Sequence, residues 1–208
     1  MSSSESQSDN DDEAPGLFGQ ILPYLYIGDA AAACDTAQCK EFGITRAVNC
    51  SSLDVEFDQA IVSSYSSYTA LPIAEAIDED IEKYFDEAYE AIITAKNQET
   101  KVLVFCEDGC GRSACIVIAY MMMASEKQNK KLPLSMALKH LDSKWEHSNI
   151  NAGFLSKLVA LEKQLYGEVS IRLAGKGEKH SGGGRGGGSS RGRGGSGRGR
   201  GDKRKRGK

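Results

Sequence analysis

One stretch limits the folds open to this chain more than any other. Residues 101–105, KVLVF, form a short apolar run, and residues 113–124, SACIVIAYMMMA, are apolar nearly all round. Only the segment CEDGCGR, 106–112, separates them. A five-residue apolar run after a turn has the length of a strand buried on both faces, as at the centre of a parallel sheet. A helix without a polar face must also be interior. An interior strand leading directly into an interior helix needs further strands beside the one and further helices around the other.

The rest of the chain supplies them. Residues 22–27, within ILPYLYIG, read as a strand ended by Gly28, and 29–42 as an Ala-rich helix closed by Gly43. Residues 45–50 and 68–73 read as strands. Over 80–96 the apolar residues Ile81, Tyr84, Phe85, Ala88, Ile92 and Ala95 recur at helical spacing. Two closing helices are expected at 134–141 and 152–165, and no segment repeats. The alternation points to an α/β fold, a central, largely parallel sheet flanked by helices, with the 106–112 loop between a buried strand and a buried helix.

Charge divides the chain of 208 residues into three. Residues 1–14 carry five acids and no base, while 172–208 carry 13 Lys/Arg and two acids, so a formal net charge of −3 conceals an acidic body and a strongly basic end. Residues 1–16 lack the apolar content to fold, and the Arg/Gly-rich tail of 169–208 cannot bury a core; both are expected to be disordered. One domain is expected over 17–168. An Arg/Gly tract of this kind fits RNA or another polyanion as partner, and KRKR at 203–206 reads as a nuclear localisation patch. No apolar run approaches the roughly 20 residues that cross a bilayer, so no membrane segment is expected. The six Cys form no CxxC pair and the three His add no zinc spacing, so neither metal nor organic cofactor is expected. The Ser- and acid-rich start is unlike a secretion signal. The expected setting is intracellular, cytoplasm and nucleus, where thiols stay reduced.

The loop carries the chemistry. Gly109 and Gly111 leave room for backbone amides to turn inward, and the following helix presents its unpaired N–H groups and positive dipole end. Together these form an anion cradle suited to phosphate. The phosphate-binding candidates are therefore Glu107, Asp108, Gly109, Cys110, Gly111 and Arg112: the loop through its amides, Arg112 through a two-oxygen fork. The side chains of Glu107 and Asp108 are expected to point outward. The same field should lower the pKa of Cys106 and populate a reactive thiolate. Ser113 either donates its hydroxyl to that sulfur or serves as a helix cap.

In this setting, C-x5-R-[ST] resembles the signature of the protein tyrosine phosphatase superfamily, and the short domain is most similar to its compact branch, the dual-specificity phosphatases. The likeness extends over 17–166, through ILPYLYIGDAAAA, ITRAVNCSS, LPIAEAIDEDIEKYFDEAYEAI, SACIVIAYMM and NINAGFLSKL. It implies Cys106 as nucleophile, Arg112 as phosphate clamp, Glu75 as general acid and Ser113 as the sulfur's proton donor. It also implies phosphoprotein substrates bearing phosphotyrosine and phosphoserine or phosphothreonine. Two positions depart from the pattern. Phe105 stands where the family usually has His, which should leave Cys106 less acidic. Glu75 stands where the family usually has Asp, with Asp78 as its nearest rival. These departures keep open a phosphate-binding module with little turnover, and the basic tail keeps open an RNA phosphatase. Cys110 is expected to be a bystander, Cys34 and Cys39 packing residues, Trp145 core, and His140 and His147 surface or packing residues.

Overall fold

A computed structural model of the chain describes residues 16–52 and 57–172. The acidic N-terminus and the Arg/Gly tail from 173 onward lie outside the described residues. Five strands form one sheet: β1 (Phe18–Leu22), β2 (Leu25–Gly28), β3 (Ile44–Asn49), β4 (Ser67–Ala70) and β5 (Lys101–Phe105), in the order β1-β2-β5-β3-β4. β1 runs antiparallel to β2, and every other pairing is parallel. The helices are α1 (Ala30–Cys34), α2 (Thr36–Phe42), α3 (Gln59–Ser64), α4 (Phe85–Asn97), α5 (Arg112–Glu126), α6 (Leu134–Asp142) and α7 (Ala152–Tyr166).

The expected interior strand and helix occupy the centre. β5 sits mid-sheet, with Val102 and Val104 in one apolar cluster and Leu103 and Phe105 in the other. Fully burying such side chains contributes roughly 1.5–3 kcal/mol each. α5 packs against α4, α6 and α7, and every residue from Arg112 to Ala124 is buried.

Several boundaries differ from the sequence reading, each for a local reason. The single strand expected at 22–27 is a hairpin: Pro23 and Tyr24 form its turn, and β1 precedes them. Proline fixes its φ and lacks an N–H for a ladder, so it breaks the apolar run. The single helix expected at 29–42 is two. Asp29 caps α1 through Ala32 N at 2.7 Å, and Asp35 ends α1 and caps α2 through Gln38 N at 2.9 Å. Cys39 is buried in the core as expected, whereas Cys34 is exposed at the end of α1. The helix expected from 80 opens as a 3-10 turn, Ile81–Tyr84, and becomes α4 at Phe85. The body also runs past 168. Ser170 Oγ accepts from Ser135 N at 2.9 Å, and Ser170 N donates to the buried carboxylate of Glu162 at 2.8 Å. The other Glu162 oxygen accepts from Leu134 N at 2.7 Å, so one interior carboxylate ties the start of α6 to the segment after α7.

Candidate active site

β5 ends at Phe105, and Cys106 follows at the carboxyl end of the parallel strands, where open α/β sheets place their sites. Cys106 is fully buried. The loop above it is held from outside. Ala30 N donates to Glu107 O at 3.2 Å, and Asn149 N to Cys110 O at 3.0 Å. Trp145 Nε1 donates to Gly109 O at 3.0 Å. Three loop carbonyls are thus held by groups outside the loop. Gly109 has φ +70°, and a Cβ there would come within 2.8 Å of Gly28 O, so glycine is required on two counts.

Cys106, Arg112, Ser113 and Glu75 come together. Ser113 Oγ is 3.3 Å from Cys106 Sγ, and Ser113 is itself fully buried. It is not the helix cap, a position held by Gly111. Arg112 is 5% exposed, a buried charge that must be paired. Its Nε lies 3.0 Å from Glu75 Oε2, its Nη2 meets the Glu107 carboxylate, and its Nη1 donates to Ile73 O at 3.4 Å. Burial works against its charge, but Glu107, Cys106 and Glu75 outweigh burial and raise its pKa. Asp78 stands exposed in a turn past Glu75.

Three expectations about the loop are corrected. The Glu107 side chain turns inward, because the buried guanidinium draws it; its other oxygen accepts from Ser52 Oγ at 3.1 Å. Asp108 also bends back over the loop: Oδ1 accepts from Cys110 N at 3.1 Å and from the Cys106 thiol at 3.4 Å. An Asp accepting from the amide two residues on is a common local turn. The Cys106 thiol is not lowered. Burial pushes it up and the Asp108 carboxylate adds to that, while Ser113 and Arg112 pull it back only in part. Burial and Asp108 likewise push up Cys110, whose Sγ donates to Asp108 O at 3.1 Å.

Sequence reasoning missed the supports. Trp145 is buried as expected but is also a loop anchor, and His147 meets it edge-on with ring centroids 4.9 Å apart. His140 bonds Ile21 O at 3.0 Å. Asn151 contacts Glu75 and caps α7; an Asn just before an apolar periodic run was a legible cap signal, but its second contact had none. Among the described residues no group of three or more His, Cys, Asp or Glu could hold a metal ion, and no helix is long and apolar enough to cross a membrane.

The site joins a buried thiol at the foot of the β5–α5 loop to a buried guanidinium, Arg112, that follows the same loop. The class defined by this fold is the α/β phosphatase with a phosphate loop between its central strand and helix. Comparison with known proteins narrows the class. The family model "Dual specificity phosphatase, catalytic domain" matches residues 25–164. The chain is 35% identical over 156 residues to dual specificity protein phosphatase 1 of Arabidopsis thaliana, covering 74% of this chain and 72% of the relative. It is 32% identical over 146 residues to human dual specificity protein phosphatase 4, covering 70% of this chain and only 35% of that longer relative. Among solved structures, human DUSP28 superposes with a TM-score of 0.63 at 26% identity, covering 73% of this chain and 97% of that one. The chain belongs to the dual specificity phosphatase family, as a compact member, and is a phosphoric monoester hydrolase acting as a protein phosphatase.

Proposed function

We propose that this phosphatase hydrolyses phosphotyrosine and phosphoserine or phosphothreonine through a thiophosphate on Cys106. The observation that carries the reading is the buried Cys106 Sγ, 3.3 Å from Ser113 Oγ, under a loop closed by Arg112. In the first step the Cys106 thiolate attacks phosphorus, the ester P–O bond breaks, and Glu75 protonates the departing oxygen. In the second, water attacks phosphorus, Glu75 takes its proton, and the P–S bond breaks as Ser113 donates to the leaving sulfur. Loop amides and Arg112 stabilise the equatorial oxygens in both steps. The test is p-nitrophenyl phosphate hydrolysis. Cys106→Ser should abolish turnover yet still bind inorganic phosphate, and Arg112→Ala should lose both; retained turnover in Cys106→Ser would refute the mechanism. Phosphotyrosine and phosphothreonine peptides tested side by side settle the dual specificity.

The raised thiol and the two carboxylates on Arg112 favour a second reading, a phosphate-binding module with slow release. A burst of one equivalent of product, or no product, distinguishes it. The composition of the Arg/Gly tail supports RNA or another polyanion as an additional partner, and 203–206 supports a nuclear as well as a cytoplasmic location. A 5′-triphosphorylated RNA assayed beside the phosphopeptides tests the RNA phosphatase alternative.

A further inference from the structure

We infer that Asn151 is a positioning residue for the reaction: its carboxamide holds Glu75 flat above the phosphate loop. The inference rests on the reading of Glu75 as the proton donor. Asn151 Oδ1 accepts from Phe154 N at 2.9 Å and so caps α7. With its oxygen committed to the helix, its nitrogen faces Glu75 and donates to Oε1 at 2.8 Å. The second Glu75 oxygen lies 3.0 Å from Arg112 Nε. A Cβ on Gly111 would lie 3.0 Å and 3.1 Å from the two Glu75 oxygens, so the carboxylate rests on the loop backbone itself.

Glu75 needs such a hold. Its side chain is 42% exposed, and a long carboxylate at that exposure loses rotamer freedom when it is fixed in one place. Misplacing a reacting group by about 1 Å costs on the order of 100-fold in rate. Two more contacts seat the same segment on α7. Gly153 packs so closely under Ile77 that a Cβ would come 1.8 Å from Ile77 O. Lys157 Nζ pairs with Glu82 at 2.7 Å and Asp80 at 3.5 Å. The cap residue Asn151 and residues 153 and 157 of α7 therefore carry the segment from 75 to 82. α7 sets the geometry of proton transfer through that segment.

Asn151→Ser separates the two jobs of this side chain, because serine keeps a capping oxygen and lacks the amide donor. In the full-length protein its thermal midpoint should stay near wild type. Its kcat/KM on a phosphothreonine peptide should fall about tenfold, and that on p-nitrophenyl phosphate less than twofold, since a good leaving group needs little protonation. Glu75→Gln should show the same substrate pattern more strongly. Adding Asn151→Ser to it should cost little more, because coupled residues are not additive. Gly153→Ala, which displaces Ile77 by another route, should also lose mainly the peptide activity. Equal losses on both substrates in Glu75→Gln would remove the proton-donor reading and this inference with it. If Glu75→Gln behaves as expected, a wild-type profile in Asn151→Ser and Gly153→Ala, or fully multiplicative losses in the double variant, overturns the role of Asn151 alone.

Discussion

Phe105 meets Phe57 edge-on at 5.3 Å and Tyr68 at 6.4 Å, within the cluster on the face of β5 opposite Cys106. Where the family pattern has a histidine, this chain has aromatic packing. The pH dependence follows from the thiol. On the proposed mechanism the attacking species is the thiolate, so kcat/KM should rise with pH until Cys106 ionises, and a pKa raised by burial should move that acidic limb upward. Phe105→His should shift the limb to lower pH. It should also cost roughly 1–3 kcal/mol of stability, because polar ring nitrogens enter an apolar cluster. A pH–rate profile with a urea titration checks both; an unmoved limb would mean that Ser113 and Arg112 already set the thiol.

At the scale of elements, α6 and the segment after α7 share one interior carboxylate. Glu162→Ala would leave Leu134 N and Ser170 N without their acceptor, at a cost of about 2–4 kcal/mol. The urea midpoint should fall while kcat/KM at low temperature stays within twofold, since neither amide touches the catalytic loop. β5, the loop and α5 were legible because apolar runs and glycines encode them directly. Breaks within elements were less so. Asp35 divides α1 from α2 through a side-chain cap that lies inside an Ala-rich pattern. α3 buries none of its six residues and so had no periodic signal to show. In the site, Cys106, Arg112 and Ser113 could be read because they sit within eight residues of one another. Trp145 and Asn151 reach it only through folding, from 36 and 76 residues away from their partners. The inward turn of Glu107 follows from the burial of Arg112, which local sequence does not reveal.

For the whole molecule, all four proposed catalytic residues lie upstream of the basic tail. Deleting 175–208 should leave kcat/KM on p-nitrophenyl phosphate within twofold of the full chain. The same deletion should sharply reduce any RNA binding, and full-length binding should weaken linearly on a log–log salt plot as counterions are released. The remaining acidic body repels polyanions and makes a poor substitute binder. Equal RNA binding with and without the tail would transfer that role to the domain.

The chain contains a single tryptophan, and its indole N–H is bonded to the loop that faces the nucleophile. All indole emission therefore originates 3.0 Å from the Gly109 carbonyl, beside the His147 ring. The protein thus carries its own optical probe. Titrating inorganic phosphate into Cys106→Ser should change emission intensity or wavelength with a single saturating curve, and Arg112→Ala should flatten it. Loop occupancy can then be timed by stopped-flow fluorescence without attaching any dye.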